Sequence, residues 1–178
     1  MSKISKRQRL KTKQLVETSV LIALSVVLAT FAVVTRPNGG AITIASMIPL
    51  ILISFKYGWK WGVFAAVTYS ALEMLLRFFT PPAGTLTAFI LVVMLDYAIA
   101  FGVLGLAAIW GKKWYAVLIV CTLRFLAHFT SGMIIWGGSI TFSLAYNASY
   151  MIPETIITLA VIIPMLKIPA ISRWFDSK

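Results

Sequence analysis

The sequence predicts an all-α integral membrane protein of six transmembrane helices, with both termini on the cytoplasmic side. Three observations lead there: an excess of apolar residues, six hydrophobic runs divided by break signals, and a lopsided distribution of basic residues. Of 178 residues, 60% are hydrophobic and only 12% charged, and the mean hydropathy is +0.93. A soluble domain is about 45–50% apolar and about 25% charged. A water-soluble core of this size cannot hide such an excess, so lipid is the expected solvent for much of the surface. Six spans of about 20 residues use about 120 residues and leave short connections. The expected organisation is a basic cytoplasmic arm over 1–14, a membrane domain over 15–170 and a short cytoplasmic tail over 171–178.

The spans follow in order. Helix 1 is expected over about 15–34. A signal-peptide core after a basic segment is the other reading of this run, but it exceeds a typical h-region of about 7–15 residues, and five more spans follow. It ends before Arg36-Pro37-Asn38-Gly39-Gly40, a break signal. Helix 2, over about 42–56, is short and contains Pro49, which predicts a tilt, a kink or partial re-entry. Helix 3 runs over about 60–79 and stops at Pro81-Pro82. Helices 4, 5 and 6 are expected over about 86–110, 114–136 and 146–168, with Gly137-Gly138 between the last two.

The net charge of +11 raises the question of nucleic acid. Six of the sixteen basic residues, however, are Lys3, Lys6, Arg7, Arg9, Lys11 and Lys13. A short basic arm before a hydrophobic segment contacts anionic lipid and sets topology. With the N-terminus inside, Lys56, Lys60, Lys112, Lys113, Lys167, Arg173 and Lys178 join the arm on the cytoplasmic side. Only Arg36 and Arg77 fall outside, and Arg124 lies within helix 5. The positive-inside rule therefore predicts N-in and C-in, no nucleic acid, and membrane lipid as surroundings.

Ionisable residues within spans are costly and tend to face a protein interior or a watery cavity. Glu73, Asp96, Arg124, His128 and Glu154 are of this kind. At about 1.5 Å of rise per residue, His128 lies roughly 22 Å above the cytoplasmic border and Asp96 roughly 13 Å below the outer one. On helix 5, Arg124, His128, Gly132 and Trp136 follow at i+4 steps and form one stripe. On helix 6, Asn147, Tyr150 and Glu154 share a face. Two such faces can bind a flat, polar, cationic ring. Each residue also has a plainer reading: Trp136 in an aromatic belt, His128 bonded to a neighbouring helix, Gly132 allowing close packing. Arg124 and Glu154 are at similar depth and are expected to form a structural ion pair.

No catalytic site is expected. One histidine, one cysteine and no clustered carboxylates leave no metal site of ordinary ligand spacing, and no cofactor is called for. The single Cys121 excludes an intrachain disulfide. There is no GxxxxGK[ST] phosphate loop, so energy for uphill import must come from a partner or an ion gradient.

Three strings carry a resemblance. Residues 142–154, Phe-Ser-Leu-Ala-Tyr-Asn-Ala-Ser-Tyr-Met-Ile-Pro-Glu, resemble the helix 6 signature of thiamine-specific S components of energy-coupling factor (ECF) transporters. Residues 95–101, Leu-Asp-Tyr-Ala-Ile-Ala-Phe, resemble the helix 4 motif, and 124–132, Arg-Phe-Leu-Ala-His-Phe-Thr-Ser-Gly, the helix 5 motif, with Trp136 in the expected aromatic place. The likeness extends to the stretch from Gly39-Gly40 to Pro49 and to that from Lys60 to Gly62, and so covers nearly the whole chain after the basic arm. It implies a six-helix protein that captures thiamine outside and joins a transmembrane scaffold subunit and two cytoplasmic ATPase subunits. The implied ligand residues are Asp96 and Tyr97, then His128, Gly132 and Trp136, then Asn147; Ser143, Tyr146 and Tyr150 on the same helix are further candidates. Some members have Glu in place of Asp96, and Tyr in place of Phe142. Loop 1 contains no Trp or Tyr to match the loop aromatics of other members.

The chemistry agrees with that cargo: a carboxylate and Trp136 suit the thiazolium charge, and Asn147 suits the aminopyrimidine edge. Helix 1 offers two rows of small residues, Ser19, Ala23 and Val27, and Ser25 and Ala29. The family's Ala-x-x-x-Ala pair falls on Ala23 and Val27, so the expected docking face lacks its second small residue. Two other readings stand beside this one. One is a self-sufficient ion-coupled carrier with Asp96 or Glu154 as its proton site; the other is a scaffold that transports nothing.

Overall fold

The structure, a computed structural model, describes residues 3–37 and 39–177, with side chains from residue 8 onward. Asn38 in the expected break, Lys178, and the side chains of Lys3, Lys6 and Arg7 lie outside the described residues.

The chain is mostly helical. Helix α1 is Lys3–Thr30, so the basic arm continues the first span without interruption. Strands β1 (Ala32–Thr35) and β2 (Ala41–Thr43) follow as an antiparallel hairpin, pairing Ala32 with Thr43 and Thr35 with Ala41 across a bulge. Then come α2 (Ile48–Tyr57), α3 (Trp59–Leu76), α4 (Leu86–Trp110), α5 (Trp114–Ile134), α6 (Ile140–Lys167) and the short α7 (Pro169–Asp176). Among the described residues, four helical segments are long and apolar enough to cross a membrane: Gln8–Thr30, Leu86–Trp110, Trp114–Ile134 and Ile140–Lys167.

The hairpin departs from an all-α fold. Helix 1, expected to about 34, stops at Thr30, and helix 2, expected from about 42, starts at Ile48. Val33, Val34 and Thr35 are β-branched and favour the extended chain. Gly39 sits at φ +91° in the turn, where its N–H donates to the Arg36 carbonyl (3.1 Å). Pro49 does not kink α2 but lies in its first turn, where its missing N–H is not needed. Every residue of α2 from Ile48 to Lys56 is buried. A helix with no solvated polar face belongs in the interior, and α2 is apolar but for Ser54 and Lys56, both of which find buried partners.

Helix α3 crosses α4 at Gly62 and Gly105. A Cβ on Gly105 would run into the backbone of Gly62 and Val63, so only two glycines allow the approach. Here α4 tightens to a 3₁₀ helix over Val103–Trp110. Ser54 satisfies the altered backbone, donating to the Gly105 carbonyl (2.6 Å) and accepting from the Ala108 N–H (3.0 Å). One turn earlier, Val93–Ile99 widens into a π-helix around Asp96.

The end of the bundle that carries both termini is bolted together by charge. Lys56, expected as an interfacial cation, is fully buried, 2.7 Å from Glu17 and stacked 4.0 Å over the Trp174 ring. Phe175 packs edge-on against Phe55 at 6.2 Å. The expected tail is thus a helix docked on the bundle.

Candidate functional site

Helix α6 begins six residues before the expected start of helix 6, because Ser139 caps it by accepting from the Phe142 N–H (3.2 Å). Asn147 therefore lies two turns inside rather than at its mouth. Pro153 within α6 lacks an N–H and leaves the Ser149 carbonyl without its helical donor. That carbonyl accepts from Arg36 of the hairpin at 3.5 Å. The proline thus creates an acceptor that holds the hairpin against α6.

Beneath the hairpin lies a cavity of about 170 Å³. All nine expected ligand residues line it: Asp96, Tyr97, His128, Gly132, Trp136, Ser143, Tyr146, Asn147 and Tyr150. The hairpin, Phe79 and the charged residues Glu73, Arg77, Arg124 and Glu154 are also part of the wall.

Asp96 is the electrostatic centre. One carboxylate oxygen lies 2.9 Å from His128 Nδ1; the other accepts from Ser131 Oγ (2.6 Å) and from the Trp136 indole N–H (3.2 Å). His128 and Ser131 lie on α5 and Trp136 just past its end, and Asp96 faces them from the π-helical turn of α4. The other two cavity carboxylates face guanidinium groups. Glu73 pairs with Arg77 at 3.7 Å, and Glu154 with Arg124 at 3.5 Å. Asp96, among the described residues, faces none. The expected Arg124–Glu154 pair is present and buried, with Thr43 donating to Glu154 (2.6 Å) and the Arg124 guanidinium 4.6 Å from the Phe101 ring centre.

Asn147 ties α6 to α5. Its Nδ2 donates to the Ser143 carbonyl (2.9 Å) and to the His128 carbonyl (3.4 Å), and its Oδ1 accepts from the Tyr150 hydroxyl (2.7 Å). Ser143 donates to the Phe129 carbonyl (2.8 Å). Gly132 is where the two helices touch: a Cβ there would collide with Ser143 Oγ and lie 3.3 Å from Asn147 Nδ2. Its plainer reading, close packing, is therefore met. Tyr97 turns its hydroxyl to the end of α3, donating to the Arg77 carbonyl (2.8 Å) and accepting from the Phe79 N–H (3.2 Å). Tyr146 accepts from the Gly40 N–H (3.4 Å), and Gly40 lies directly on the Tyr150 ring.

Sequence reasoning missed Ser131 as a partner of Asp96. It follows His128 at i+3, so the i+4 stripe passed over it, although i+3 lies on the same face. It also missed Arg36, Thr43 and Phe79, whose approach depends on the hairpin and on a loop. Among the described residues, no three His, Cys, Asp or Glu side chains gather as metal ligands would.

A family model described as thiamine transporter protein (Thia_YuaJ) matches residues 15–172. The thiamine transporter ThiT of Bacillus subtilis (strain 168) is 32% identical, across 72% of this chain and 76% of its own. The crystal structure of ThiT from Listeria monocytogenes superposes with a TM-score of 0.75, covering 93% of this chain and 98% of that one at 18% identity. The three helix motifs thus led to the same family as the whole-chain match, a family of transporters built of several apolar helices. The chain, a multi-pass membrane protein, belongs to the thiamine transporter protein family.

Proposed function

We propose that this cavity binds thiamine from the outer face of the membrane, and that the chain delivers it as the substrate-capturing subunit of an ECF-type importer. The observation that carries the reading is Asp96: a cavity carboxylate held by three donors, with no guanidinium to neutralise it. A permanent thiazolium cation supplies the missing charge, and Trp136 offers a ring face beside it. When His128 donates through Nδ1 to Asp96, its Nε2 is left as an acceptor. Among the described residues that atom is buried without a partner, and an aminopyrimidine N–H satisfies it.

Orientation follows from charge. Lys13, Lys56, Lys112 and Arg173 cluster at the end that carries the termini, while Arg36 and Arg77 belong to the cavity end. With the four long spans, residues 41–57 and α3 complete six passes. Docking onto the scaffold subunit uses α1. Of its two small-residue rows, Ser25 and Ala29 are 0% and 2% exposed and pack inward, whereas Ser19 and Ala23 are exposed and Val27 is 50% exposed.

The test is a titration of purified protein with thiamine, read by tryptophan fluorescence. Asp96→Asn keeps the shape and removes the charge, and should weaken binding by about 2 kcal/mol, roughly thirtyfold. Unchanged affinity would remove the cation-binding role. Uptake by the chain reconstituted alone in vesicles would favour the ion-coupled carrier instead.

A further inference from the structure

A second hollow, of about 250 Å³, opens at the other end of the molecule, between the α4–α5 connection and the end of α6. It lies about 20 Å along α5 from His128. Three of its walls are cations, Lys112, Lys113 and Lys167. Lys112 is shared with Asp176 at 3.5 Å and lies 4.6 Å over the Phe175 ring. Lys113 and Lys167 take part in no ion pair among the described residues. The hollow therefore carries uncompensated positive charge.

The remaining walls say what kind of anion fits. Trp114 and Tyr115 are 53% and 37% exposed, the placement of aromatic rings at a membrane–water border. Ile163 and Leu166 supply an apolar floor within about the last turn of α6. A soluble anion gains nothing from that floor, whereas an acyl chain does.

We propose that this hollow binds the headgroup of an anionic phospholipid. Its phosphodiester lies between Lys113 and Lys167, its glycerol at the level of Trp114 and Tyr115, and an acyl chain along Ile163 and Leu166. A basic pocket among helix ends is suited to such headgroups. The site would tie the start of α5 and the end of α6, two helices that also line the cavity, to one lipid molecule.

Native mass spectrometry of the full chain in detergent, titrated with phosphatidylglycerol or phosphatidylcholine, tests this. The wild-type chain should retain phosphatidylglycerol in preference. Lys113→Gln with Lys167→Gln should bind it roughly thirtyfold less, at about a fivefold loss per cation, and Lys113→Arg with Lys167→Arg should restore it. Lys11→Gln with Lys60→Gln removes the same charge from the same end, outside the hollow, and should change little. Thiamine binding measured on every variant should stay as in the wild type, which verifies the fold and separates this site from the cavity. Equal retention of the two lipids, an equal loss in the control pair, or displacement of the lipid by excess inorganic phosphate would each overturn the proposal.

Discussion

Trp136 meets Asp96 through its indole N–H at 3.2 Å, so its ring face and its donor are separable contributions. Trp136→Ala removes both and should weaken thiamine by about 1–2 kcal/mol, with a smaller fluorescence change on binding. Trp136→Phe keeps a ring and loses only the donor. If Phe binds as poorly as Ala, the tryptophan acts by holding the carboxylate and not by stacking. Arg124 and Glu154 are a different case, because both are buried and each is the other's counter-ion. Removing either alone strands a charge, which typically costs about 3–5 kcal/mol. Arg124→Met and Glu154→Gln should each lower thermal stability in detergent, and the double variant should lose less than the sum. Strict additivity would mean that the 3.5 Å contact contributes nothing. The depth estimate from helical rise was sufficient to pair these two residues, since on straight helices depth is a matter of counting. Asp96 was another matter: no count reveals that a π-turn carries it to Ser131.

Elements meet where side chains are smallest. The α5–α6 contact rests on Gly132 against Ser143, where an added Cβ has no room. Gly132→Ala should destabilise the protein by about 1–3 kcal/mol, read as a fall in the unfolding temperature in detergent. Adding Ser143→Ala removes the oxygen that the new methyl strikes and should recover part of the loss. A recovery of nothing would mean that the backbone, not the hydroxyl, sets the spacing. The hairpin shows how local preference and distant geometry combine. Its β-branched residues and its glycine turn are legible in the sequence once a strand is sought. Its position over the cavity is not, because that depends on Arg36 reaching a carbonyl freed by Pro153, over a hundred residues away. The same holds for α2, whose mostly apolar residues suit a lipid-facing or an interior helix equally well, and only burial on every side distinguishes the two.

At the scale of the molecule, the proposed importer needs a face on α1 that can slide against a scaffold in lipid. Membrane helices approach closely where small residues recur every fourth position. The inward burial of Ser25 and Ala29 leaves Ser19, Ala23 and Val27 as the outward row. Ala23→Trp should therefore abolish ATP-driven uptake by the assembled complex while leaving thiamine binding to the isolated chain within about twofold, a change of about 0.4 kcal/mol. Loss of both would make the residue part of the fold, and loss of neither would move the docking face elsewhere. The sequence by itself determined that this is a helical membrane protein, which family it belongs to, and nine candidate residues that the structure brings to one cavity. Composition sets the solvent, and helical periodicity places side chains three and four apart on one face, so these features survive without coordinates. Only the tertiary structure decided that Asp96 meets Ser131, that Lys56 lies buried against Glu17 and Trp174, and that α1 turns one small-residue row inward and the other out. Each of these is a contact between distant segments. Such contacts depend on where helices widen, tighten or end, which neighbouring residues along the chain do not encode.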